Sequence, residues 1–276
     1  MIDTKKLDEI ARLIRIDIIK MINQAGSGHP AGSLGITDIL TSLYFGILKH
    51  SPQNSCLVNR DRFLLSAGHL VPALYATLAQ AGYFPKKELM TLRALGSRLQ
   101  GHSHFDCPGG VEIGAGLLGQ GLSVACGKAL AAKLNKKNYK IVCLTSDGEQ
   151  NEGQTWEAAM LAAKYKLNNL IQIIDRNHIQ IDGTTEEIMP IEPLNKKYQA
   201  FGWQVLEIDG HNFNEIFASF KKAFATPEKP TVIIARTTPG KGVSFMENNW
   251  DWHGKAPNSE ETKKAIEELL SLSFRT

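Results

Sequence analysis

The sequence predicts an α/β fold, a doubly wound, mainly parallel sheet flanked by helices. Short β-rich runs alternate with helical ones along the chain. The β-rich runs are continuously apolar, as in Ile141-Val142-Cys143-Leu144 and Leu170-Ile171-Gln172-Ile173-Ile174. Strands covered by helices on both faces read this way, because neither face meets water. With 276 residues and no internal repeat, low-complexity tract or interdomain linker, one domain over residues 1–276 is expected.

Each element has its own signal. Leu7, Ile10, Leu13, Ile14, Ile18, Met21 and Ile22 form one helical stripe that ends near Gly26. A second helix is predicted over 37–48. Strands are predicted over 62–65, 140–145, 170–175, 204–208 and 231–236. Helices near 71–81, 120–134, 154–165 and 212–225, and a last one from Ser259, fill the intervals. The stretch Thr226-Pro227-Glu228-Lys229-Pro230 is a turn leading into a strand.

Composition excludes several classes of function. Lys and Arg number 31 against 28 Asp and Glu, a net +3 that does not provide the basic surface needed for nucleic acid or a membrane. Lys133, Lys136, Lys137 and Lys140 read as a solvated helix end. Cys56, Cys107, Cys126 and Cys143 are widely spaced with no Cys-x-x-Cys, which fits reduced thiols in a cytoplasm. The charged N-terminus is neither a signal peptide nor a membrane span.

Three stretches exceed what a minimal scaffold needs: 26–35, 96–121 and 237–257. All are rich in Gly and His, which permit close backbone approach and proton transfer, so they are expected to be functional. Within the second, Gly114-Ala115-Gly116-Leu117-Leu118-Gly119 satisfies a dinucleotide-binding pattern. That pattern also requires a preceding strand and an acidic residue about 20 positions later. Cys107-Pro108-Gly109-Gly110 lies upstream and no Asp or Glu occurs between Gly114 and Asp147, so a nicotinamide dehydrogenase is not expected. The glycines lead into a helix whose N-terminal N–H groups suit an anion or a flat ligand, or form a tight packing turn.

A stronger signal is Ser146-Asp147-Gly148-Glu149-Gln150-Asn151-Glu152-Gly153 after one strand and Asp175-Arg176-Asn177-His178-Ile179 after the next. Ligands in such sheets bind outside these strand ends. Asp147 and Asn177 offer hard oxygens, and Gly148 lets the chain turn so that a carboxylate and a phosphate can share a cation. Few protein oxygens completed by diphosphate and water make a Mg²⁺ site.

At this point the sequence resembles the thiamine diphosphate enzymes, specifically transketolase. Ser27-Gly28-His29-Pro30, Asp61-Arg62-Phe63 with Ser66-Ala67-Gly68-His69, Gly116-Leu117-Leu118-Gly119-Gln120-Gly121, the Asp147-Gly148…Asn177 pair and Ile181-Asp182-Gly183 resemble transketolase blocks in order. The segment 239–247 and Trp252-His253-Gly254 resemble the form in which this half is a separate N-terminal subunit. The resemblance implies that Asp147, Asn177 and the main-chain oxygen of Ile179 hold Mg²⁺ (or Ca²⁺ or Mn²⁺), with Gly148 against the diphosphate of thiamine diphosphate. Gly116, Leu117 and Leu118 would line the cofactor. His29, His69, His102 and His253 match active-site histidines, His69 and His253 also touching the cofactor. Glu152 and Glu157 match acidic residues at the subunit contact, and Glu157 is expected to take part in catalysis. His50, His104, His178 and His211 keep a surface or structural reading.

The implied reaction moves a two-carbon ketol unit from a ketose phosphate to an aldose phosphate. The cofactor serves as electron sink, and imidazoles, with an ordinary pKa of about 6.5, move protons on and off sugar oxygens. Ser146 stands where the motif usually has Gly, Leu117 where many members have Pro, and an additional Gly precedes Val111. The choice between His102 and His104 as the substrate contact stays open.

In transketolases the glutamate that activates the aminopyrimidine, with most sugar-phosphate contacts, belongs to a following pyrimidine-binding domain. That domain and the C-terminal one are expected on a partner chain, in an α₂β₂ assembly. The alternatives are a 1-deoxyxylulose-5-phosphate synthase-like or 2-oxo acid dehydrogenase E1-like subunit, and a catalytically silent cofactor-binding module.

Overall fold

The computed structural model describes residues 3–104 and 109–271; Phe105, Asp106, Cys107 and Pro108 of the second Gly- and His-rich stretch lie outside the described residues. In chain order the elements are α1 (Thr4–Ala25), α2 (Pro30–Gly35), α3 (Thr37–Ser42), β1 (Arg62–Leu65), α4 (Val71–Gln80), α5 (Gly121–Leu134), β2 (Ile141–Ser146), α6 (Gly153–Lys164) and β3 (Leu170–Arg176). There follow a small hairpin of β4 (Ile179–Gln180) and β5 (Gly183–Thr184), then α7 (Thr185–Ile188), α8 (Leu194–Ala200), β6 (Gln204–Asp209), α9 (Phe213–Ala225), β7 (Thr231–Arg236) and α10 (Ser259–Ser271).

The main sheet has the order β1-β2-β3-β7-β6, and every neighbouring pair is parallel. The central strands β2 and β3 are buried along their whole length, which is why their sequences are apolar without alternation. Alternate side chains nevertheless feed different cores. Val142, Leu144, Ile171 and Ile173 pack with α1, α3, α4 and α9 residues such as Ile14, Ile39, Leu74 and Phe220. Ile141, Cys143, Leu170 and Ile174 pack on the other face with Leu122, Ala125, Ala159 and Tyr198.

Helix α1 begins where the Asp3 side chain accepts the Lys6 N–H at 3.1 Å and stops at Gly26, whose φ of 65° suits a residue without a side chain. Among the differences from the sequence expectation, the helix over 37–48 is not uniform. After α3 it widens into a π-helical turn over Leu43–Ile47, closed by the Leu48 N–H on the Leu43 carbonyl at 2.8 Å. Gly46 in that turn lies against the Phe217 ring, where a Cβ would collide. The 26–35 stretch contains the short α2, started by Pro30 in its first turn. Helix α8 gave no clear signal, because it buries only Leu194 and Tyr198.

Because the five strands run parallel, the segments that follow β1, β2, β3 and β7 gather at one edge of the sheet. Elsewhere, Cys126 and Cys143 are buried free thiols and Cys56 is an exposed one. Lys133, Lys136 and Lys137 are exposed, as a solvated helix end requires, whereas Lys140 stands past the helix, half-buried, with its ammonium over the Phe224 ring. Among the described residues, no helix is long and apolar enough to cross a membrane.

Candidate active site

At this sheet edge a cavity of about 400 Å³ opens, within the size range of small-molecule sites. His29, His69, His102 and His253 line it from four separate segments. Asp147, Gly148, Asn177 and Ile179 line it from the ends of β2 and β3, and Gly116, Leu118 and Glu152 complete the predicted set. Leu117 and Glu157 are not among the lining residues, and both side chains face solvent. His102 reaches this cavity, whereas His104 lines a neighbouring one.

Asp147 follows β2 directly and is buried. Its Oδ1 accepts the Gly148 N–H at 2.8 Å, and its Oδ2 accepts the His178 N–H at 2.9 Å and Arg176 Nη1 at 3.2 Å. Burial pushes its carboxyl up to about 6, against the pull of Arg176 and the two backbone donors. Arg176 is itself clamped, donating to Glu186 at 2.7 Å, Glu192 at 3.0 Å and the Thr185 hydroxyl at 2.8 Å. It can therefore brace Asp147 without filling the cavity.

Asn177 is fixed at both ends of its amide. Nδ2 donates to Asp175 Oδ2 at 2.8 Å, and Oδ1 accepts the Ile179 N–H at 2.9 Å. Asp175 in turn accepts the Thr237 hydroxyl, which ties the end of β3 to the segment after β7. Burial pushes the Asp175 carboxyl up to about 7. The backbone between and just after these ligand candidates is strained: His178 has φ 64° and Ile181 φ 49°, both uncommon for residues with side chains.

The donor set suits a hard cation. It comprises a carboxylate, an amide oxygen and a main-chain carbonyl, and among the described residues no group of three or more His, Cys, Asp or Glu is placed to hold a metal. The cavity also offers unmet polar groups, since His29 Nδ1 and Gln180 Oε1 are buried without a hydrogen-bond partner. Close backbone approach is provided by Gly68 and Gly116. A Cβ on Gly68 would stand 2.6 Å from the Gly116 nitrogen, and Gly116 itself has φ 145°. These features fit a phosphate-bearing, partly flat cofactor held with a metal ion.

The imidazoles of His29, His69 and His253 form a triangle, with centroid separations of 5.2, 5.4 and 5.4 Å. Burial, then the neighbouring rings and Arg93, push His29 down to about 4. Burial and the three other histidines push His69 down to about 3. Burial also lowers His102 and His253. The ordinary pKa of about 6.5 therefore does not apply here, and the rings stand neutral at pH 7. Each offers one N–H donor and one lone pair to a sugar hydroxyl.

Two of the histidines given a bland reading, His50 and His211, have structural partners. His50 lies between the Tyr44 carbonyl at 2.7 Å and the Tyr83 hydroxyl at 3.0 Å. His211 Nδ1 meets Asp38 at 2.7 Å, and its Nε2 accepts the Thr238 N–H at 2.7 Å, anchoring the start of the third loop. Glu149 is the residue that sequence reasoning missed. Wholly buried, it accepts the Ser146 N–H at 2.7 Å, the Gly119 N–H at 2.9 Å and the Ser66 hydroxyl, while Ser66 Oγ accepts the Gly121 N–H at 3.1 Å. One carboxylate thus joins the ends of β1 and β2 to the glycine loop. A buried Glu amid four donors, the Ser146 hydroxyl at 3.4 Å being the fourth, is the signal, and it appears only in three dimensions.

Comparison with known proteins places this geometry. The family described as transketolase, thiamine diphosphate binding domain, matches residues 5–271. An apulose-4-phosphate transketolase subunit of Phocaeicola vulgatus is 44% identical over 91% of this chain and 89% of its own length. The 6-deoxy-6-sulfo-D-fructose transketolase subunit SqwG of Clostridium sp. strain MSTE9 is 43% identical over 95% of this chain and 96% of its own. The crystal structure of transketolase from Campylobacter jejuni superposes with a TM-score of 0.92 at 37% identity, covering 99% of this chain but only 44% of that one. The chain thus spans less than half of that solved transketolase and nearly all of the subunit relatives. It belongs to the transketolase family, to which it contributes the thiamine diphosphate-binding domain.

Proposed function

We propose that this chain is the N-terminal subunit of a two-chain transketolase, a single diphosphate-binding domain that transfers a ketol unit only with its partner. The observation that carries the reading is the meeting, in one cavity, of the Asp147, Asn177 and Ile179 oxygens with the His29, His69 and His253 triangle. One half offers a place for a metal-bound diphosphate. The other offers neutral proton acceptors for a sugar.

When bound, thiamine diphosphate supplies the nucleophilic carbon and electron sink for cleaving and re-forming a C–C bond. Asp147, Asn177 and the Ile179 carbonyl hold the accompanying Mg²⁺, or Ca²⁺ or Mn²⁺ in its place. Gly148 leaves room beside the diphosphate. Gly116 presents backbone to the aminopyrimidine, with Leu118 as its apolar border, while Leu117 beside them is turned to solvent. His29, His69, His102 and His253 orient sugar hydroxyls and take protons from them on their free nitrogens. Glu152 and Glu157, both exposed, face the subunit contact.

The length match to relatives named as subunits supports a partner chain. We place the pyrimidine-binding domain on that partner, in an α₂β₂ complex acting on sugar phosphates in the cytoplasm. Calorimetric titration of the chain with thiamine diphosphate tests the binding half of the proposal. Saturable binding is expected with Mg²⁺, with none in EDTA and none in Asp147→Ala. Undiminished binding by a folded Asp147→Ala chain would refute the metal assignment.

A further inference from the structure

The segment that leaves β7 at the cofactor cavity is tied by its N–H groups to three different parts of the chain. The Thr237 N–H donates to the Arg176 carbonyl at 3.2 Å, and the Gly240 N–H to the Ala31 carbonyl at 2.8 Å. Between them, the Thr238 N–H donates to a side chain, His211 Nε2, at 2.7 Å. Pro239 follows, has no N–H of its own and lines the cavity. Its carbonyl accepts the Asn248 N–H at 3.0 Å. From there the Trp252 N–H bonds the Asn249 carbonyl at 3.2 Å and the His253 N–H the Trp250 carbonyl at 2.8 Å, so the turns lead directly to the His253 imidazole.

His211 is held from behind. It is buried just after β6, where its own N–H donates to Asp209 Oδ1 at 2.8 Å. Its Nδ1 lies 2.7 Å from Asp38 Oδ2 on α3, and the same oxygen accepts Arg15 Nη2 from α1 at 2.8 Å. Burial opposes the charge on Asp38, but the Arg15 guanidinium and the His211 ring hold its carboxyl well below the usual carboxylate range. An ionised carboxylate only accepts, so Nδ1 carries the imidazole proton; a backbone N–H only donates, so Nε2 carries the lone pair. Both partners demand the same tautomer. The Thr238 carbonyl in turn rests against Gly35, where a Cβ would stand 3.1 Å from its oxygen. Helices α1 and α3 and the turn after β6 thus converge on one peptide at the rim of the cavity.

We propose that His211 is a positioning residue for the reaction: its Nε2 lone pair fixes the Thr238 peptide and, through Pro239 and Asn248, sets the His253 imidazole against the sugar. His211 does not itself line the cavity. The proposal rests on the transketolase reading of that cavity and deepens it, by giving a buried histidine remote from the substrate a part in the proton-transfer half of the site. Asp147 and Asn177 are fixed by hydrogen bonds of their own, so loosening Thr238 reaches the histidine rather than the cation site.

Two substitutions separate the two duties of the imidazole. In His211→Gln an amide oxygen takes the place of Nε2 and accepts the Thr238 N–H. In His211→Asn the shorter amide reaches only the place of Nδ1, so Asp38 keeps a donor and Thr238 loses its acceptor. In the complex with the partner, His211→Asn is expected to lower kcat for ketol transfer by about 10- to 100-fold, the scale of a reacting group misplaced by about 1 Å, with donor KM and thiamine diphosphate affinity within about threefold of native. His211→Gln should keep kcat within about threefold of native. An equal fall in kcat for both variants, or a fall in His211→Asn matched by weakened cofactor binding, would overturn the proposal, because His211 would then serve the fold alone. Imidazole ¹⁵N NMR of the unsubstituted chain gives a readout without turnover. His211 should show its proton on Nδ1 and a lone pair on Nε2, and a proton on Nε2 would also overturn the proposal. Absence of ketol transfer by the wild-type complex would fail the proposed function, and the NMR would still test the tautomer of His211.

Discussion

Replacing Glu149 with glutamine removes one charge and one acceptor from the junction that holds the glycine loop to the sheet. In the native site Oε1 accepts from Gly119 and Ser66, while Oε2 accepts the Ser146 N–H. Oε2 also accepts the Ser146 hydroxyl at 3.4 Å, and since all four groups donate, an amide cannot satisfy them. With its oxygen toward Gly119 and Ser66, its NH₂ opposes the Ser146 N–H and leaves that donor unmet. An orphaned buried donor costs about 1–3 kcal/mol. Burial already pushes the Glu149 carboxyl up, so removing the charge returns part of the loss, and about 2 kcal/mol is expected. An unfolding entropy of about 2.1 cal/mol/K per residue over 276 residues converts this to a fall in Tm of roughly 3.5 °C. Glu149→Ala abandons all four donors and should fall about twice as far. It should also weaken thiamine diphosphate binding by about tenfold or more, the scale seen when supporting residues around a ligand site are lost. Differential scanning calorimetry and cofactor titration measure both effects. A Tm for Glu149→Gln within about 1 °C of the native chain would refute the reasoning.

Other outcomes follow from the same geometry. Gly68→Ala places a Cβ 2.6 Å from the Gly116 nitrogen and 2.9 Å from the Ala115 carbonyl carbon, so backbone must shift. A loss of about 1–3 kcal/mol in chemical denaturation and weakened cofactor binding are expected, and native behaviour would contradict the close approach. Imidazole NMR of His29 and His69 should show neither ring titrating between about pH 8 and 5.5, since burial holds both below the ordinary value. The unfolded chain binds a proton at His69 below about 6.5, whereas the folded chain waits until about 3. Native stability relative to His69→Asn should therefore decline as pH falls through that window, by up to about 1.4 kcal/mol per pH unit. Asp147 and Asp175, both pushed up, act in the opposite direction, which is why the comparison is made against the variant rather than on the native curve alone.

The sheet was legible because β2 and β3 are buried on both faces and their sequences are apolar throughout. Asp147 and Asn177 were legible as a pair because parallel neighbours bring consecutive strand ends together, with Ser146 opposite Asp175 in register. What escaped the sequence depends on contacts between distant segments. The neutral state of the histidines needs three rings from three loops to meet about 5 Å apart, which spacing alone does not reveal. Glu149 sits inside the recognised motif, yet its function comes from Ser66, 83 positions away, and Gly119, 30 positions away. Leu117 and Glu157, named by resemblance, are both exposed on this chain.

Reconstitution tests the central claim most directly. The chain, a candidate partner with the pyrimidine-binding domain, and their mixture are each assayed for ketol transfer from a ketose phosphate, with saturating thiamine diphosphate and Mg²⁺. The account predicts activity in the mixture alone, lost when the chain carries Asp147→Ala. Robust turnover by the chain without a partner, or an active mixture containing Asp147→Ala, would contradict it.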